Sequence, residues 1–129
     1  MEEMPLNVLC VAPKRWELFQ WKRTVRRIVP EAVVHGCRHP AEAFKTAKTQ
    51  GCDVLLTEIE MDGRRGDGLD LARALRAINP KLNVIFITNC PERKYAHDVI
   101  QMRASGYIRK PCGQERLAEE FANLRYGPA

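Results

Sequence analysis

Apolar and polar positions along this chain follow two periods in turn, and the changes of period mark ten elements. Short apolar runs predict strands over Leu6–Ala12, Ala32–Cys37, Asp53–Glu58, Asn83–Thr88 and Tyr107–Lys110. Between them the repeat lengthens to that of a helix over Lys14–Val29, Pro40–Gln50, Gly68–Asn79, Pro91–Ser105 and Gly113–Arg125. Pro30 and Pro80 stop the first and third helices. Pro40 sits in the first turn of the second, where a missing N–H costs nothing, and Gly51 closes it. Strands alternating with helices predict a parallel sheet covered on both faces. The first, third and fourth strands are nearly continuous apolar runs, as burial on both sides requires. In such a sheet, ligands sit beyond the carboxyl ends of the strands. The residues there are Ala12 and Pro13, Glu58, Thr88 and Lys110.

Length adds that 129 residues fit one compact domain, with its core over about residues 6–125. No apolar run approaches the ~20 residues of a membrane span, and the acidic start "MEEMPLN" is no signal peptide, so a cytoplasmic protein is expected. The five cysteines form no CxxC pair, which points to reduced, mostly buried thiols and no zinc site. His35, His39 and His97 form no metal motif and are expected in loops and on the surface. A net charge of +5 admits an acidic or nucleic-acid partner without requiring either. No glycine-rich phosphate loop follows the first strand, where "VAPKRW" stands, which argues against a small enzyme built on such a sheet.

The strand ends carry a family likeness. "DVLLTEIEMDG…DGLDL", "VIFIT" and "SGYIRKP" resemble the receiver domain of bacterial response regulators, from about Leu6 to Arg125. The resemblance implies a flavodoxin-like, doubly wound (βα)5 fold with a five-stranded parallel sheet in the order 2-1-3-4-5. It implies two-component or phosphorelay signalling without enzyme turnover. Its partners would be a histidine kinase, a phosphotransfer protein or an output protein, with homodimers also open. In the family an Asp closes the third strand, a Thr or Ser the fourth, and a Lys followed by proline the fifth, often through a cis bond. Thr88, Lys110 and Pro111 match, and Tyr107 stands where the family places an aromatic switch residue.

The departures matter more. Glu58 occupies the phosphoacceptor position, and Ala12 and Pro13 occupy the positions of the acidic pair that holds magnesium. The loop after Glu58 is about two residues longer than usual, Asp62 replaces a common proline, and Asn89 stands where a small residue is preferred. Magnesium needs hard oxygen ligands, and phosphoryl transfer needs its charge neutralised. Neither Ala12 nor Pro13 offers a side-chain oxygen, so magnesium binding is expected to be weak or absent and no cofactor is expected. Glu58 either pairs with Lys110 as a fixed imitation of the phosphorylated state or simply offsets its charge. An unconventional acceptor in the same loop, Asp62 or Asp67, is an alternative. Asp53, at the opposite end of its strand, is a poor one.

The first helix supplies a second surface. On a helical wheel Leu18, Trp21, Val25, Ile28 and Val29 form the core stripe. Trp16 and Phe19 fall on the other side, among Arg15, Arg23, Arg26 and Arg27. Six basic residues and a single acid, Glu17, lie in Lys14–Val29. This face is either a solvated basic surface with Trp16 folded over the first turn, or a docking face for a protein partner or, as a second option, for nucleic acid.

Overall fold

A computed structural model of the chain describes residues 5–124. Five strands, β1 (Asn7–Val11), β2 (Val33–Cys37), β3 (Val54–Thr57), β4 (Asn83–Thr88) and β5 (Gly106–Arg109), form one parallel sheet in the order β2-β1-β3-β4-β5. Five helices alternate with them: α1 (Arg15–Ile28), α2 (Pro40–Gln50), α3 (Asp67–Ile78), α4 (Glu92–Gln101) and α5 (Gln114–Ala122). The sheet is flavodoxin-like and doubly wound. Alternate side chains of each strand point to opposite faces. Leu9, Val11, Leu55, Val84 and Phe86 meet Ala43, Leu69, Leu75 and Tyr95 from α2, α3 and α4. Val8, Cys10, Leu56, Ile85, Ile87 and Ile108 meet Trp21, Val25, Leu117 and Phe121 from α1 and α5. Each fully buried aliphatic side chain in these layers contributes about 1.5–3 kcal/mol.

Several element ends differ from the sequence expectation. α4 stops at Gln101, four residues before Ser105. Arg103 turns the chain at φ 53, and the Ser105 N–H then donates to the Val84 carbonyl at 2.7 Å, drawing the chain onto the edge of the sheet. β5 therefore begins at Gly106 and ends at Arg109 rather than Lys110. The Lys110 N–H still donates to Thr88 O at 2.9 Å, but Pro111, which follows through a cis peptide bond, has no N–H to continue the ladder. β3 closes at Thr57, leaving Glu58 one position past the strand. The end expected for the last helix, Arg125, lies outside the described residues. His35 corrects the expectation that all three histidines are loop or surface residues: it lies within β2, half-buried, because the strand carries it between Val34 and Gly36. All five cysteines are free; Cys10, Cys37 and Cys90 are buried and the other two half-buried.

Candidate functional site at the carboxyl edge of the sheet

The ends of β1, β3, β4 and β5 bring Ala12, Glu58, Thr88 and Lys110 to one edge of the sheet. Glu58 is fixed by its backbone: its N–H donates to Val11 O at 3.2 Å, and the Thr57 hydroxyl donates to its carbonyl at 2.9 Å. The chain crosses itself tightly here. A Cβ on Gly68 would fall 1.8 Å from the Glu58 carbonyl oxygen, so only glycine fits at that position. The Glu58 side chain is nearly enclosed. One carboxylate oxygen accepts from the Ile59 N–H at 3.0 Å, and the other lies 2.5 Å from Lys110 Nζ.

A second carboxylate reaches the same ammonium. Glu17, in the first turn of α1, places Oε2 2.6 Å from Lys110 Nζ with its side chain only 7% exposed. The Trp21 ring, one turn further on, lies 5.8 Å from that nitrogen. Burial by itself would lower the Lys110 pKa; the hydrogen bonds from Glu17 and Glu58 outweigh it and leave the pKa raised. The sequence alone does not single out Glu17 as a site residue, because it is the one acid of a basic helix. Its signal was its place on the wheel: it stands four residues before Trp21 and so shares the core stripe.

Ala12 and Pro13 do something else. The Ala12 methyl is fully buried in the layer beneath α1, and the Pro13 carbonyl accepts from Arg38 Nε at 2.9 Å. Asp62 is exposed beside His39, 3.9 Å away, and Asp53 accepts from the Asn7 N–H at 2.8 Å at the far edge of the sheet. Among the described residues Lys110 pairs with Glu17 and Glu58 and with neither Asp62 nor Asp67.

Thr88 and Tyr107 are brought together through Cys90. Thr88 is fully buried, and its hydroxyl accepts from the Cys90 N–H at 3.1 Å; the Tyr107 hydroxyl donates to the Cys90 carbonyl at 2.7 Å. Burial, with negative charge nearby, pushes the Tyr107 pKa up to about 12. Asn89 is exposed above them. Further along the loop, Glu60 accepts from the Tyr95 hydroxyl and lies 2.7 Å from Lys94 Nζ, tying the loop after Glu58 to α4.

On the outer face of α1, Trp16 and Phe19 are 59% and 65% exposed, so Trp16 does not fold away over the first turn. Arg23, Arg26 and Arg27 are exposed beside them, and Arg27 donates to Gln114 Oε1 at 3.1 Å. A groove of ≈ 690 Å³ runs between Phe19, Trp21 and Arg23 on α1 and Leu117 on α5. A smaller one of ≈ 310 Å³ opens from Trp16 and Asn89 onto Glu17 and Lys110. No helix among the described residues is long and apolar enough to cross a membrane.

Comparison with known proteins bears on this geometry. The family model described as the response regulator receiver domain matches residues 17–122. Among curated proteins, the response regulator GacA of Pseudomonas aeruginosa is 30% identical over 89 residues, covering 66% of this chain and 41% of its own length. The transcriptional regulatory protein NatR of Bacillus subtilis is 29% identical over 107 residues, covering 83% of this chain and 44% of its own. The chain thus spans less than half the length of these relatives. Among solved structures, the Vibrio cholerae chemotaxis protein CheY4 superposes with a TM-score of 0.81 at 17% identity, over 95% of this chain and 100% of that one. A receiver domain from Clostridium thermocellum gives 0.78 at 21% identity, over 92% and 93%.

Proposed function

The chain belongs to the response regulator receiver domain family of two-component signalling, and from that premise we propose that it is an atypical member that signals by docking partners, not by magnesium-dependent phosphorylation of an aspartate. One observation carries this reading: Lys110 is already held between Glu17 and Glu58, while Ala12 and Pro13 supply no side-chain oxygen. Magnesium demands a near-octahedral shell of oxygens. The side chains at this edge do not fit that demand. Two carboxylates face the site, but an ammonium stands between them at hydrogen-bond distance. Glu58 is also one methylene longer than the aspartate the family uses, so its carboxylate projects toward Lys110 itself. No step is assigned through a metal.

Position 58 carries its carboxylate without any modification, and its bond to Lys110 supports a fixed resemblance to the phosphorylated state. The exposed α1 face, with Trp16 and Phe19 among Arg23, Arg26 and Arg27, is the docking surface we assign to a signalling partner. Aromatic and arginine side chains are the usual anchors of protein interfaces. We take residues 1–129 as one receiver-like unit working in the cytoplasm.

The test is incubation with a small-molecule phosphodonor and magnesium, read by intact mass. No adduct is expected, and none with Glu58→Asp alone; the combined change that also places aspartates at 12 and 13 and removes the Glu17 charge is expected to restore one. A stable adduct on the unaltered chain, lost on Glu58→Gln, would overturn the reading.

A further inference from the structure

We propose that the flank of α1 turned toward β2 binds single-stranded nucleic acid, with phosphates held by Arg15, Lys22, Arg23 and Arg26 and a base stacked on Phe19. This goes beyond the reading above and does not depend on it, since no member of the Glu17–Lys110–Glu58 cluster takes part.

Helical spacing builds the flank. Arg15, Phe19, Lys22 and Arg26 follow one another at intervals of four, three and four residues, so they stand in one row. The row is about 16 Å long at 1.5 Å per residue. Arg23 stands beside it, and a groove of ≈ 520 Å³ runs along it with Leu18 in its lining. The Lys22 stem lies against the β2 backbone, where a Cβ on Gly36 would stand 2.7 Å from Lys22 Cδ. Arg15, Phe19, Arg23 and Arg26 are exposed.

These cations work against their own helix. Lys22 and Arg26, like Arg23 and Arg27, are equal charges four residues apart, and such pairs repel. Arg15 is the first residue of α1, at the positive end of the helix dipole, where a cation is disfavoured. Among the described residues none of these five cations meets a carboxylate, and Arg27 alone has a hydrogen-bond partner, Gln114 Oε1 at 3.1 Å. Cations that weaken their helix and find no anion within it are matched to an anion from outside.

Spacing and exposure choose the anion. One small phosphate needs donors that converge, and these are spread along the helix. A polymer with a charge on every unit matches a row. The core of a protein interface is depleted in charge, whereas every polar side chain lining this groove is a cation. A nucleic acid brings the phosphates and, when single-stranded, bases with open faces. Phe19, 65% exposed in the middle of the row, is the stacking platform for one. Phe19 and Arg23 also border the groove toward α5, so a protein partner there and the nucleic acid exclude each other.

The experiment is a fluorescence anisotropy titration of the full chain against a labelled single-stranded oligonucleotide of about 12 nucleotides. Four phosphate contacts predict a slope of log K against log salt of about −3, a loss of about 50-fold between about 50 and 200 mM. Arg23→Gln combined with Arg26→Gln removes two contacts and is expected to halve the slope to about −1.4. Phe19→Ala is expected to weaken binding about fivefold or more and to leave the slope unchanged. The altered side chains are exposed and unpaired, so the variants are expected to fold as the unaltered chain does. Poly-glutamate, inorganic polyphosphate and the corresponding duplex serve as competitors and are expected to bind more weakly. No binding at about 50 mM salt, or a slope unmoved by the two arginine changes, overturns the proposal. So does binding indifferent to Phe19→Ala. Equal affinity for poly-glutamate overturns it in favour of an acidic protein segment, and equal affinity for polyphosphate or duplex overturns the single-strand assignment. Each of these failures leaves the reading at Lys110 standing, because the phosphoryl adduct decides that reading separately.

Discussion

Two lysines stand at the same edge of the sheet, each bonded to glutamate, and they do different things. Lys110 is 13% exposed and is gripped by two enclosed carboxylates at 2.5 and 2.6 Å. Lys94 is 37% exposed and meets one partly exposed carboxylate, that of Glu60, at 2.7 Å, with the Tyr95 hydroxyl on the same oxygen. Distance alone does not separate them. Burial does: water competes for Lys94 and scarcely reaches Lys110. The first cluster therefore fixes the charge of the site, while the second only tethers a loop to α4.

Removing Lys110 is the strongest way to break this comparison. Lys110→Met leaves Glu17 and Glu58 facing each other, buried and unpaired. Loss of one partner from a buried ionic cluster costs about 3–5 kcal/mol. Urea unfolding is expected to show a loss of that size. A loss below about 1 kcal/mol, the range of exposed pairs, would mean that the cluster is as wet as the Lys94 pair.

The strand-end residues of the site were legible in the sequence, and the helical one was not. Glu58, Thr88 and Lys110 follow apolar runs, and a parallel sheet must gather the ends of its strands at one edge. Glu17 sits in a helix with six basic residues, and a count of charges carries no direction. Only its phase relative to Trp21 places it inside. The exposure of Trp16 and Phe19 was legible for the same reason, since the wheel set them opposite Trp21 and Val25. The early end of α4 was hidden because "QMRASG" holds no breaker before Gly106; the turn at Arg103 is imposed by pairing of Ser105 with Val84. The meeting of Thr88 and Tyr107 at Cys90 was hidden because it runs through backbone atoms of a residue that the pattern leaves unmarked.

The two clusters also fail at opposite ends of the pH scale, which sharpens the contrast at intermediate cost. Lys110 has a raised pKa in the folded chain, against about 10.4 when unfolded. Its stabilisation is fully present below the unfolded value and is lost as pH rises through the folded one. The stability gap between the unaltered chain and Lys110→Met is expected to narrow only above about pH 10. Taking the difference between variants cancels the buried thiols of Cys10 and Cys52, whose pKa values burial pushes up to about 12. A gap that narrows near neutral pH would show that Lys110 is not held charged by its partners.

The smallest expected effect belongs to Lys94. Exposed pairs are worth about 0–1 kcal/mol, so Lys94→Met is expected to cost no more than that in urea unfolding. The Lys94 and Tyr95 hydrogen bonds hold the Glu60 carboxyl below its ordinary range. Its contribution is therefore present above the unfolded value of about 4.3 and is lost as pH falls through the folded one. The gap between the unaltered chain and Lys94→Met should close in acid while the Lys110→Met gap is unchanged in alkali up to the lysine limit. Salt separates them further, because exposed charges are screened over about 8 Å at physiological ionic strength and enclosed ones much less. Raising the salt concentration is expected to erase the Lys94→Met cost and to leave the Lys110→Met cost nearly intact. If salt erased both, water would reach the Glu17–Lys110–Glu58 cluster, and a charge so exposed has no means of holding α1 to the end of β5.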